Sequence, residues 1–462
     1  MTYEERLADI GHELDVELRA IEDGLLSQGG RLAALTERVL ALEQQEPVPD
    51  PDPCPDPDPD PDVRVPMTLR ADPNFDAGTL SAAQQARLAT MKRLIDDKEG
   101  GNRDPYVIAN RDCIWWYSHD LRTHIAAQVA AFRVTGDLYF LDVIYELGEL
   151  MRSNLDYPYR STHPDGATEG ENDGYLKWVE RQNPTPDRQG TDTRIDYDYN
   201  AHTTSAWMTW ILHHNRDLDS PKGYDYGEHA DFMLSYHVNH FEAKHRARRR
   251  KPTGFPIHNW PPQYDRHIGW AAWHYYMGLL TGDAAYTNEA KRMIDVEHEA
   301  GNLCRSSTSV GDAYVWRRNI QSISTFGNRL SETGYVEFVS QAVLDLHFEG
   351  FHTWADPVHL KRFATTLTEY ILDDPDPIRN GLGVDVGGGV NRCGWTSSGI
   401  IRLNAFRQQN SALALLAPWD LTGTRIFDWS EDCIAYAIPR SYDYVRVLAA
   451  QMLYAHLRGE PA

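Results

Sequence analysis

Residues 196–210, DYDYNAHTTSAWMTW, set Asn200 and His202 among tyrosines and aspartates before a tryptophan-bearing apolar stretch. An amide donates and accepts hydrogen bonds without carrying charge, and an imidazole exchanges a proton near neutral pH. Together they could form the working end of an enzyme. Asn200 also suits the N-cap of a helix over 203–214, with His202 hydrogen-bonded in its first turn. A second pair, Asn239–His240, lies in YHVNHFEAKHRARRR beside a basic run at 244–251. His237 and His240 stand three apart, a spacing that can place two imidazoles on one metal, yet no clear third ligand accompanies them.

The chain holds 13 tryptophans and 24 tyrosines, many for one protein. Trp115, Trp116, Trp207, Trp210, Trp260, Trp270, Trp273 and Trp354 gather near predicted helix starts and loops. A purely structural core would favour Leu and Ile, which carry no polar atoms to satisfy. Flat rings beside hydrogen-bonding groups suit the faces and hydroxyls of sugars. Trp207 and Trp210 also fit a packed helical stripe. Trp116, Tyr199, Trp207, His267 and Trp273 form the candidate sugar-binding set.

The elements that must position these residues are helical. Residues 125–155 read as a helix, a TGD break and a second helix, and 268–298 repeat the design with the shared signature TGDxxY. Gly136 and Gly282 fall where a helix C-cap needs a left-handed residue, and Asp137 and Asp283 can cap the helices that follow. The C-terminal VRVLAAQMLYAHLRGEPA is a weaker echo. Repeated hairpins over about 67–462 predict a helical array or closed ring with few short strands, one pair falling near 381–405. Long polar loops at 161–175 and 381–399 are expected to be functional. GVDVGGGV within the second lacks the GK[ST] ending of a phosphate loop.

This hairpin pattern, with the 196–210 stretch, resembles the α/α-toroid polysaccharide lyases, nearest the alginate lyases. There an Asn-Asn-His motif leads into an aromatic helix, matched here by Asn200-Ala201-His202-Thr203-Thr204-Ser205-Ala206-Trp207. A second family motif, close to YHNYAL, ends in the catalytic tyrosine and is matched by WHYYMG (273–278), which places Tyr276 there. The first family asparagine is Tyr199 here, and Ala201 shifts the Asn–His spacing by one. The arginine seven residues before the tyrosine would fall at Gly269; Arg266 is the nearest candidate. The resemblance implies a mainly α fold and β-elimination at a uronic acid. Asn200 and Arg266 would neutralise the substrate carboxylate so that the enolate is stabilised. His202 or a deprotonated Tyr276 would remove the adjacent proton, and the tyrosine would protonate the leaving oxygen. This chemistry needs no cofactor and no metal. Helical toroids also host inverting glycosidases, with two carboxylates about 6.5–9.5 Å apart. Glu171, Asp173, Asp196 and Asp198 are available for that reading, and a binding module without activity is the third.

Residues 1–46 carry apolar side chains at alternating steps of three and four, from Tyr3 to Leu42, with a stutter between Leu14 and Leu18. So narrow a seam is buried only against copies of itself, which predicts a parallel coiled coil. PVPDPDPCPDPDPDPDVRVP (47–66) forbids helix and sheet and predicts an extended spacer of ~3.1 Å per residue. Coiled coil, stalk and sugar-handling body together look like a phage tail fibre or tailspike. That layout favours a homotrimer over a dimer, tail or baseplate proteins as partners, a host surface polysaccharide as target, and the virion as location. The net charge is −23, from 68 acidic against 45 basic side chains, which disfavours nucleic acid. No run approaches the ~20 apolar residues that span a bilayer, and the opening MTYEERLADIGHEL lacks a signal-peptide pattern. The five scattered cysteines suggest neither a zinc site nor a disulfide framework, although Cys54 could meet its counterparts in an oligomer.

Overall fold

The computed structural model describes residues 68–111, 116–157, 174–180, 191–192, 195–244, 264–299, 303–316, 333–351, 356–372, 410–436 and 442–459. All lie in the unit Val65–Ala462. The expected coiled coil at 1–46, the spacer at 47–66, the strand pair near 381–405 and nearly all of the loop at 161–175 fall outside them.

The described body is mainly helical. Helix α1 spans Ala82–Asp96 and α2 Pro105–Ala109. A π-helical turn at Tyr117–Leu121 leads into α3, Arg122–Thr135. Gly136 closes α3 at φ 68°, its N–H bonded to the Phe132 carbonyl at 2.6 Å. Asp137 then caps α4, Leu138–Ser153, accepting from the Tyr139 amide at 3.0 Å. The second TGD does the same work between α7, Tyr264–Thr281, and α8, Ala284–Glu299: Gly282 stands at φ 70° and Asp283 accepts from the Ala285 amide at 2.8 Å. Both turns need a residue without a Cβ at the left-handed position and a carboxylate for the exposed amides of the next helix.

Between these hairpins come α5, Ile195–His214, and α6, Tyr226–Tyr236, which runs on through a π-helical turn at His237–Glu242. Beyond them lie α9, Thr333–Phe348, and α10, Pro357–Thr366, the latter passing into a third π-helical turn at Leu367–Leu372. A 3-10 segment at Asn410–Trp419, α11 at Arg425–Tyr436 and α12 at Tyr442–Arg458 complete the body. The strands are short. β1 (Leu155–Asp156), β2 (Lys177–Glu180) and β3 (Thr191–Asp192) pair antiparallel in that order, and β4 (Leu303–Ser307) forms a hairpin with β5 (Asp312–Trp316).

Burial sorts the helices into layers. On α3 every residue from Arg122 to Arg133 is buried, and on α5 the same holds from Asn200 to Thr209. A helix covered on all sides lies inside the body. By contrast, α4 buries one face through Phe140, Leu141, Ile144, Leu147 and Met151. Such a helix has its other face toward solvent. α3 packs on α4, α5 and α12; α5 on α6 and α7; α7 on α8 and α9; α9 on the 410–419 segment, which packs on α12.

Four of the inner helices share a direction. Asn200, in the second turn of α5, meets Gly269, in the second turn of α7. Near their other ends, Trp210 of α5 and Tyr275 of α7 both bond Glu349, just past α9. Arg122 at the start of α3 bonds Asn200, and Arg133 near its end pairs with Glu349. Arg446, early in α12, donates to Thr123, early in α3, at 2.5 Å. Thus α3, α5, α7 and α12 start at one end of the body.

Candidate functional site

Asn200 does not cap a helix. α5 begins at Ile195, so Asn200 lies inside it, and its side chain is buried against α3 and α7. Arg122 donates from Nη1 to Asn200 Oδ1 at 3.3 Å. From the opposite side α7 comes so close that a Cβ on Gly269 would stand 2.3 Å from the same oxygen. The Thr203 hydroxyl donates to the Gly269 carbonyl at 2.5 Å and holds the two helices at that separation. The sequence pattern had an arginine in view at position 269. The fold needs a glycine there and supplies the guanidinium from α3.

Tyr276 lies two turns beyond Gly269, ~10 Å further along α7 and on the same face. Its ring is fully buried, and its hydroxyl has no hydrogen-bond partner among the described residues. Burial, and then the carboxylates of Asp345 and Glu349, hold the phenol well above its usual pKa. Tyr276 therefore keeps its proton. Asp345 on α9 is buried as well, with Oδ1 accepting from Gln341 Nε2 at 2.7 Å. Desolvation pushes its carboxyl up to about 7, while Arg122, the Gln341 bond and Arg133 pull it back. One turn on, Glu349 forms a buried ion pair with Arg133 and accepts from Trp210 Nε1 at 3.0 Å.

His202 faces the other way. Two residues along a helix turn the side chain by about 200°, so Asn200 and His202 cannot share a face. His202 Nε2 lies 2.8 Å from the Tyr236 hydroxyl, and its ring stacks on Phe241 at 3.5 Å and leans against Trp178. Trp273 belongs to this second nest. It stacks on Trp270 with centroids 4.5 Å apart and donates from Nε1 to His237 Nδ1 at 3.3 Å. Burial lowers His237 to about 3, so the imidazole is neutral and free to accept that bond. Trp207 stays on the Asn200 side of α5, buried, two turns on. His267 turns toward α8, its Nε2 3.3 Å from the Met293 carbonyl, and burial lowers it to about 4. Trp116 is half-buried under the Arg111 guanidinium, 4.6 Å from its ring.

Arg266 and Tyr199 lie on α7 and α5, but their side chains fall outside the described residues, as do those of Asp196 and Asp198; Glu171 and Asp173 fall outside them entirely. The fold thus brings Asn200 and Tyr276 onto the inner faces of neighbouring helices and sends His202, Trp273 and His267 elsewhere. Arg122, Gln341, Asp345, Glu349 and Arg133 were not singled out in the sequence. A signal was present: Arg122 and Arg133 are eleven apart, three turns of one face, in a mostly apolar helix, and Gln341, Asp345 and Glu349 are spaced by four. Charge on the buried stripe of a helix points to a partner inside the fold. Among the described residues no group of three His, Cys, Asp or Glu could hold a metal ion, and no helix is long and apolar enough to cross a membrane. Comparison with protein-family models, curated proteins and solved structures gives no match.

Proposed function

We propose that the body is an α/α-toroid that cleaves a surface polysaccharide by β-elimination at a uronic acid, carried on a trimeric tail-fibre or tailspike-type stalk. The observation that carries the reading is the buried Arg122–Asn200 contact, on the same face of the interior as Tyr276. A guanidinium and an amide side by side form the donor set that stabilises a carboxylate as it becomes an enolate. A phenol that keeps its proton is the matching acid for the leaving oxygen.

The helix order supports the ring. Neighbour packing runs from α3 through α5, α7, α9 and the 410–419 segment to α12, and from α12 back to α3. The chain enters α5, α7 and α9 through its long polar connections, 158–194, 245–263 and 317–332. Helices starting at one end also direct their positive dipole ends there, which favours an anionic sugar despite the net charge of −23. Tail and baseplate partners and a host glycan target follow from the stalk in the sequence.

The test is incubation of the full chain with polyuronates and bacterial capsules, following the ultraviolet absorbance of the unsaturated uronide. Absorbance that rises with time supports the reading; glycan binding without cleavage leaves a receptor-binding module. One observation favours a second reading. Burial pushes the Asp345 carboxyl up to about 7, and Glu349 lies one turn on; two carboxyls close together in one site are the equipment of a glycosidase. New reducing ends without absorbance would select it. Sedimentation of the full chain checks the stalk, the expected mass being three times that of one chain.

A further inference from the structure

Helix α10 packs on strand β5, and His359, Arg362 and Thr366, spaced by three and four, share the face that meets it. All three contact Tyr314. The Thr366 hydroxyl accepts from the Tyr314 amide at 3.0 Å and donates to the Tyr314 carbonyl at 2.5 Å, which fixes the strand residue on the helix. The Tyr314 hydroxyl lies 2.6 Å from His359 Nδ1 and accepts from Arg362 Nη1 at 3.1 Å. With the guanidinium on the oxygen, the phenol proton is directed to the imidazole. The same guanidinium sits over the Tyr314 ring, 5.4 Å from its centroid.

Arg362 is thus held from two directions, yet nothing cancels its charge, since a phenol is neutral. Arg133, Arg152 and Arg216 each pair with a carboxylate. Among the described residues no carboxylate pairs with Arg362, in a chain that carries 68 acidic side chains. Its Nε is buried and has no hydrogen-bond partner among the described residues. A shielded donor on a cation without a counter-charge is costly to keep. Tyr314 is 2% exposed, whereas His359 and Arg362 are half-buried. The guanidinium is therefore braced from the protein side by a buried phenol and stays within reach of solvent.

We propose that Arg362, braced by Tyr314 and His359, is a binding site for a carboxylate. A carboxylate lying along the guanidinium edge takes Nε–H and the neighbouring Nη2–H in two parallel hydrogen bonds and supplies the missing charge. The Tyr314 bond to Nη1 sets the plane of the guanidinium and leaves that edge for the ligand. The ligand is a carboxylated molecule: a uronate residue of an acidic polysaccharide or a free organic acid. The site is built from β5 and α10, separate from the Arg122–Asn200 contact, and does not depend on the elimination reading.

The experiment treats the full chain with phenylglyoxal, which modifies arginine, and reads the labelled peptides by mass spectrometry. The probes are an oligouronate, acetate, and glucose as the neutral control. Arg362 is expected to label without ligand and to lose most of its labelling with a carboxylated probe but not with glucose. Protection by the oligouronate at a concentration where acetate gives none identifies the polysaccharide as the source; equal protection by the two identifies a free acid. An Arg362 that never labels, that neither carboxylated probe protects, or that glucose protects equally overturns the proposal. Calorimetry with Arg362→Gln, checked for folding by circular dichroism, gives a second readout. The variant is expected to lose at least ~10-fold in affinity for the protecting probe, the scale of a charge-assisted hydrogen bond. Wild-type affinity in folded R362Q also overturns it. Labelling is read at Arg362 itself and needs no turnover, so it is decided separately from the absorbance test of elimination.

Discussion

Arg122 and Asn200, 78 positions apart in the chain, meet in the buried interior through a 3.3 Å hydrogen bond from Nη1 to Oδ1. The bond crosses from α3 to α5 and puts a fixed positive charge beside an amide that α7 crowds from the other side. In the proposed elimination these are the two charge-neutralising groups, set before any substrate arrives, which is the condition under which such groups accelerate a reaction most.

Arg122→Lys tests the pairing. Lysine keeps the charge but loses the planar fork, so the bond to Asn200 and the orientation of the amide are lost. The expected result is a fall in kcat/KM on polyuronates of about 10- to 100-fold, 1.4–2.7 kcal/mol of transition-state stabilisation, with circular dichroism unchanged. Wild-type kcat/KM in R122K would remove Arg122 from the site.

Gly269→Ala tests the close approach of α5 and α7. A methyl group 2.3 Å from Asn200 Oδ1 cannot be accepted without moving the amide or parting the helices. Alanine is the better helix former, by about 1 kcal/mol. Overpacking is expected to win, with a net loss of roughly 1–2 kcal/mol in denaturant melts. Activity should fall more than stability, because the displaced group is Asn200 itself.

Stability should depend on pH through Asp345. Its carboxyl sits at about 7 in the folded chain, against an ordinary value near 3.8. Between those two values the folded state holds a proton that the unfolded state has released. Its contribution is therefore fully present below about pH 3.8, is lost as pH rises toward 7, and stays lost above it. D345N removes that slope, and between melts at pH 5 and pH 8 it should gain on wild type by up to about 3 kcal/mol. Equal pH dependence in the two proteins would contradict the assignment. A variant stabilised at pH 8 yet impaired in turnover would mark Asp345 as a group kept for function.

Local chemistry was readable wherever one turn decided the outcome. The two TGD breaks were placed correctly because a left-handed glycine and an aspartate N-cap act within a few residues. Asn200 was misread as a cap because α5 starts at Ile195, earlier than its apolar pattern. Two positions on from Asn200, His202 turns to the Tyr236 nest, a placement that short motif matching does not register. Arg122 and Asp345 escaped notice because each stands among mostly apolar residues with no motif around it. Their meaning comes from packing that brings α3, α5, α7 and α9 together, a relation that no local pattern contains.

The ion pair of Arg133 and Glu349 gives the last prediction. Both side chains are buried, and Trp210 and Tyr275 add hydrogen bonds to the same glutamate residue. Glu349→Gln leaves the guanidinium without its counter-charge in a place water does not reach, and the expected loss is about 3–5 kcal/mol. The pair need not stabilise the fold in net terms, since desolvating two charges offsets most of their attraction. Replacing both, as Arg133→Met with Glu349→Leu, should therefore recover most of the stability lost in E349Q. Chemical denaturation of the single and double variants measures this directly. If the double variant is no more stable than E349Q, the pair holds the ends of α3, α5, α7 and α9 together in a way that apolar packing cannot replace.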